Sequence, residues 1–110
     1  MNEFGSIYYQ EDLDHLIQNH TLSLLFVSQK NCSVCQSLLP QIKQVMQKYP
    51  MVKLGYIRAD QFPSIAGIYS IFTAPAVLFF VEGKEYFRDV RFVPIQAFSE
   101  KVNKIYSHFY

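Results

Sequence analysis

Cys32 and Cys35 are the only two cysteines of the chain, set in the stretch Cys32-Ser33-Val34-Cys35. A pair at this spacing suits two kinds of chemistry. As a dithiol it exchanges with disulfides: one thiolate attacks, and the second, about one helical turn on, resolves the mixed disulfide. As thiolates the two supply half of a metal site, which needs about four ligands. The chain offers His15, His20 and His108 to complete such a site, and His15 and His20 fall in or after the first helical pattern, on a different element from the cysteines. Redox exchange is the stronger reading, and neither a metal nor another cofactor is expected.

The elements on either side of the pair say how it is held. Leu22, Leu24, Leu25, Phe26 and Val27 make an almost unbroken apolar run that ends at Ser28-Gln29-Lys30-Asn31. Such a run suits a strand, Leu22 to Ser28, covered on both faces. Leu38, Leu39, Ile42, Val45 and Met46 then give a helix from Cys32 to about Lys48. Pro40 lies inside it, where a lost hydrogen bond and a clash with the preceding turn predict a kink. The cysteines therefore stand where a buried strand hands over to a helix N-terminus. Unsatisfied N–H groups and the positive end of the helix dipole gather there and favour a thiolate. Cys32, at the helix start, is expected to attack. Cys35, one turn inside and more buried, is expected to resolve.

Phe4 to Tyr9 reads as a short aromatic strand and Gln10 to Asn19 as a helix with Leu13, Leu16 and Ile17 on a narrow apolar face. Met51 to Ala59 reads as a strand, and Ser64 to Ile71 as a short helix with Ile65, Ile68 and Tyr69 sharing a face. Ala76 to Val81 and Glu85 to Phe92 form a hairpin around Glu82-Gly83, where Gly83 takes the positive φ the turn demands. Pro94 opens the last helix, whose stripe is Ile95, Phe98, Val102, Ile105 and Phe109. The order is βαβαβαββα. It predicts an α/β fold with a parallel sheet covered on both faces and an antiparallel edge from the late hairpin. The remaining aromatics, Tyr8, Tyr9, Tyr69, Phe72, Phe79, Phe80, Phe87 and Phe92, are expected to pack in the core and hairpin.

The 110 residues suffice for one domain, 1–110, with one core. Half are hydrophobic, which excludes a disordered chain. The formal charge is +1, from ten basic and nine acidic side chains, with no basic block or stripe. No nucleic-acid or anionic-membrane partner is expected. No apolar run approaches the ~20 residues of a membrane span. The acidic start, Met1 to Asp14, lacks the features of a signal peptide. A cytoplasmic protein is expected, where structural disulfides are rare, which again favours redox use of the cysteines.

The arrangement resembles the thioredoxin family over roughly residues 4 to 108. Pro40 stands where thioredoxins carry a helix-kinking proline. Thr73-Ala74-Pro75 before the strand Ala76 to Phe80 matches the family's cis-proline loop, and Val81-Glu82-Gly83-Lys84 its hairpin turn. The resemblance implies a three-layer α/β/α sandwich around a mixed sheet, with Thr73, Ala74 and Pro75 facing the cysteine pair. It implies a cis Ala74–Pro75 bond, a minority state that the fold must hold. It also implies that Ala74 offers its backbone to an extended substrate segment, as in strand addition. Asn31 would border that substrate edge in place of the family's usual tryptophan. Ser33-Val34 replaces the usual Gly-Pro. Phe26 stands where the family has a buried aspartate that helps deprotonate the second cysteine, and Tyr56 falls at its partner lysine. Ionising a buried Cys35 without that acid is expected to be costly.

The leading expectation is a thiol–disulfide oxidoreductase acting on disulfide-containing protein substrates, running as a reductant and itself reduced by a thioredoxin reductase-type partner. Two other readings stay open: a glutaredoxin-like enzyme using a low-molecular-weight thiol, and a non-catalytic binding module that uses the groove between Cys32 and Pro75.

Overall fold

In the computed structural model, which describes residues 3–110, strand β2 (Leu22–Ser28) runs through the middle of a five-stranded sheet. All seven of its residues are buried. Its alternate side chains feed two separate cores, as a strand covered on both faces must. Leu22, Leu24 and Phe26 join one cluster, and Leu25 and Val27 join the other.

The other strands are β1 (Gly5–Ser6), β3 (Lys53–Arg58), β4 (Ala76–Val81) and β5 (Lys84–Val90). The order across the sheet is β1-β3-β2-β4-β5. β1 and β2 both run parallel to β3, while β4 is antiparallel to β2 and to β5. Helices α2 (Ser33–Met46) and α4 (Ile95–Phe109) cover the first core, bringing Leu38, Ile42, Met46, Phe98 and Val102. Helices α1 (Gln10–Gln18) and α3 (Pro63–Tyr69) cover the second with Leu13, Leu16, Ile17 and Ile65. The result is the expected three-layer α/β/α sandwich with a mixed sheet. Each fully buried Leu, Ile or Phe contributes about 1.5–3 kcal/mol relative to exposure. The double-sided burial of β2 is thus a main source of stability next to the cysteines.

Several boundaries differ from the sequence expectation, each for a local reason. β1 is two residues long rather than Phe4 to Tyr9. Ile7 still donates its N–H to the Tyr56 carbonyl, but Tyr9 then leaves the sheet to cap α1, its carbonyl accepting from Asp12 and Leu13. Tyr8 and Tyr9 are exposed in consequence, not packed. β3 starts after a turn in which Val52 donates to Tyr49, and ends where Ala59–Gln61 winds into a 3₁₀ turn. α3 begins at Pro63 and stops at Tyr69, because Ser70 takes a φ of 54°. Ile65 points inward, yet Ile68 is exposed and does not share its face. α4 starts one residue after Pro94, which caps it by accepting from the Phe98 N–H. α2 runs on through Pro40 from Ser33 to Met46, with Cys32 just outside as its N-cap.

The β4–β5 hairpin turns on Glu82 and Gly83, at φ 50° and 84°. Two successive positive values are those of the tight hairpin turn whose twist matches its strands. β5 ends at Val90 rather than Phe92, because Arg91, at φ 68°, turns the chain out of the sheet. Phe92 and Phe72 stand exposed, whereas Phe79 and Phe80 are buried and Phe87 half-buried.

Candidate active site

β2 leaves the sheet at Ser28, and three residues later Asn31 takes a left-handed φ of 59°. Asn is among the residues that adopt this region most readily. The turn delivers Cys32 to the N-cap of α2 in extended conformation. There its sulfur does what a capping side chain does: it accepts the backbone N–H of Cys35 at 3.2 Å. A sulfur that accepts an N–H at the positive end of a helix is better served as an anion than as a thiol. The backbone N–H of Cys35 and the start of α2 thus both face the Cys32 sulfur.

Cys32 and Cys35 are joined by a disulfide, with Cα atoms 5.3 Å apart. The two are unequally exposed. Cys32 is half-buried, and Cys35 is 1% exposed within the α2/α4 core. A disulfide or thiolate approaching from solvent therefore meets Cys32 first. Val34, between them, is 57% exposed and forms an apolar step beside the pair.

Pro75 comes to the same end of the sheet because Ala76, the first residue of β4, lies opposite Val27 at the end of β2. The Ala74–Pro75 bond is cis, and Pro75 is buried. Ala74 and Cys32 both pack against the α2/α4 core. The Ala74 N–H and carbonyl have no hydrogen-bond partner among the described residues. The loop is held from behind by Arg91, which donates its backbone N–H to the Pro75 carbonyl at 2.7 Å and its Nε–H to Thr73 Oγ1 at 3.4 Å. Cys32, Cys35, Asn31, Thr73, Ala74 and Pro75 thus gather at one end of the sheet. Arg91 and Phe92 join them, and no sequence pattern marked either: a left-handed arginine has no signature, and Phe92 read as one more apolar residue of a strand.

Beyond Cys32, a turn is tied down by Asp60, which accepts the Lys30 N–H at 3.0 Å. Arg58 donates to the same carboxylate and holds it below its ordinary range. Phe26 and Tyr56 occupy the positions where the family that the sequence resembles carries an acid and a lysine. Phe26 is fully buried in the cluster that contains Cys35. His15 and His20 lie on and just after α1, whose buried side chains belong to the opposite core. Among the described residues no three His, Cys, Asp or Glu side chains gather as metal ligands. Among the described residues no helix is long and apolar enough to cross a membrane.

The thioredoxin family pattern matches residues 6–104. The chain is 34% identical to a thioredoxin-like protein, YdfQ, of Bacillus subtilis over 106 residues, spanning 96% of this chain and 95% of that one. It is 30% identical to thioredoxin H7 of Arabidopsis thaliana over 77 residues, 70% of this chain and 57% of the relative. In structure it superposes on thioredoxin from Trypanosoma brucei brucei with a TM-score of 0.84 at 16% identity, covering 94% of this chain and 90% of the other. Since the match runs through the strand, the cysteine turn and the proline loop alike, the chain belongs to the thioredoxin family and is a thiol–disulfide oxidoreductase.

Proposed function

We propose that the protein reduces disulfides in protein substrates, with Cys32 as the attacking and Cys35 as the resolving thiol. The observation that carries the assignment is the inequality of the pair: Cys32 is half-buried and accepts an N–H at a helix start, and Cys35 is enclosed. In the reduced protein the Cys32 thiolate attacks one sulfur of the substrate disulfide and expels the other as a thiolate. Cys35, once deprotonated, attacks Cys32 Sγ. The second substrate thiolate leaves, and the Cys32–Cys35 disulfide takes up the oxidation. Two electrons pass from dithiol to substrate, and a thioredoxin reductase-type partner returns them. Such a cycle fits the reducing conditions of the cytoplasm.

The substrate segment lies along Thr73-Ala74-Pro75, with Asn31 on the opposite border. The unpaired backbone of Ala74 supports this reading, because an extended segment can bond to it as an added strand. A small side chain at Ala74 leaves that approach open.

Insulin reduction tests the reading. With a dithiol or a thioredoxin reductase as electron source, the protein should speed precipitation of the insulin B chain, and Cys32→Ser should abolish the effect. Turnover supported only by a low-molecular-weight thiol would point to glutaredoxin-like chemistry, and none at all to a binding module.

A further inference from the structure

The loop after β5 is built at a cost. Arg91 sits at φ 68°, and the N–H of Phe92 bonds back to the Val90 carbonyl at 2.8 Å. A hydrogen bond two residues back across a positive-φ centre is the strained form of the γ-turn. Glycine would occupy such a centre without a side-chain penalty. The chain instead places there a long cation, and beside it Phe92, 76% exposed. Both lie against the start of α2, where Val34, Leu38 and Gln41 form the other wall of a shallow groove next to the cysteine pair.

Arg91 has no carboxylate partner among the described residues. The acids nearest in sequence are already engaged: Asp89 with Lys101 at 3.2 Å and Glu85 with Arg88 at 2.6 Å. On the other side of Cys32, Lys30 lines a recess with Asn31 and Gln36, and its ammonium likewise makes no ion pair among the described residues. Asp60, beside it, is engaged by Arg58. The rim of the cysteine pair therefore carries two uncompensated cations.

We propose that Arg91 and Phe92 form a specificity subsite, which takes from the segment carrying the substrate disulfide an acidic side chain next to an apolar one. This rests on the reading above, that protein substrates dock along Thr73-Ala74-Pro75. The fit is chemical. Arg91 is tied to Thr73 and, through its backbone, to Pro75, so its guanidinium is already positioned at the substrate edge and meets a carboxylate with little further ordering. The exposed Phe92 ring and Val34 side chain are covered by the apolar neighbour. A rim charge of this kind acts on the encounter rate and is screened by salt.

The test uses three peptides with the same disulfide, flanked by Glu, Gln or Lys next to a leucine, reduced by pre-reduced protein in single turnover. The wild type should favour Glu over Lys by about tenfold at low ionic strength, and the preference should shrink as salt is raised. Arg91→Glu should invert the order. Arg91→Gly, which relieves the positive φ and so keeps the fold, should bring the ratio near one. Changing the peptide's leucine to serine should cost the wild type about fivefold and Phe92→Ser little, as expected if the ring covers part of that side chain. Equal rates for Glu and Lys with the wild type, or an unaltered ratio in both Arg91 variants, overturn the subsite and leave the reductase reading intact. Failure to reduce any of the three peptides overturns both.

Discussion

Phe26 and Tyr56 lie in register on adjacent parallel strands, with their rings stacked 6.0 Å apart and 9° from parallel. Phe4 meets Phe26 edge-on at 6.2 Å, and Val77 flanks it on β4. An aromatic stack thus fills the region where the family's pattern has a buried acid and its lysine, in the cluster that encloses Cys35. The stack supplies packing there and no carboxylate.

The resolving step should therefore be slow and pH-dependent. It requires Cys35 as a thiolate, and burial opposes the charge. At a pH below that of half-ionisation, each pH unit should speed the step about tenfold. Phe26→Asp supplies an acceptor but loses the stack and buries a carboxyl without a cation. It should cost about 3 kcal/mol or more in stability and still resolve mixed disulfides faster near neutral pH. Denaturant melts and rapid-quench kinetics measure the two effects. A folded variant with an unaltered resolving rate would mean that solvent already takes the proton.

Ser23 gives a simpler case. It is fully buried on β2, between Lys53 and Phe80 in register, and its hydroxyl has no partner among the described residues. Leaving a buried hydroxyl unpaired costs about 1–3 kcal/mol, so Ser23→Ala should be neutral or stabilising by about 1 kcal/mol. The urea midpoint should rise at constant slope. A clear loss of stability would show that the hydroxyl is satisfied in solution.

Tyr69 links α3 to α1 by donating its O–H to Asp14 at 3.0 Å. Burial, and then this bond to a carboxylate, pushes its phenol up to about 12, above its ordinary value of 10.0. The fold holds the protonated form. Tyr69 thus adds stability that is complete below about pH 10 and is lost as pH climbs towards 12. Against Tyr69→Phe, the wild type's advantage in denaturant midpoint should fade over that alkaline range. A constant difference would show that the bond to Asp14 does not persist.

Much of this molecule can be read from residue order, and the exceptions share a cause. The apolar run Leu22 to Val27 and the stripe Phe98, Val102 and Ile105 reached the core as expected, because burial on a regular element imposes a period that sequence displays. The cysteine pair was legible for the same reason, standing between two such elements. Tyr8, Tyr9, Phe72 and Phe92 stand exposed instead, because apolar character alone does not say where an element ends and its side chains leave the core. Tyr9 is claimed by a helix cap, and Phe92 follows a backbone reversal at Arg91. That reversal depends on contacts with Thr73 and Pro75, which only the assembled fold supplies.

The most direct measurement is mass spectrometry of the reduced single-cysteine variants after exposure to a disulfide-bonded protein such as insulin. Cys35→Ser should accumulate a mixed disulfide through Cys32 that persists until a second thiol is added. Cys32→Ser should form little or none, because its remaining thiol is enclosed. Adducts that form faster on Cys35 than on Cys32, or equally slowly on both, would contradict the division of labour assigned to the pair.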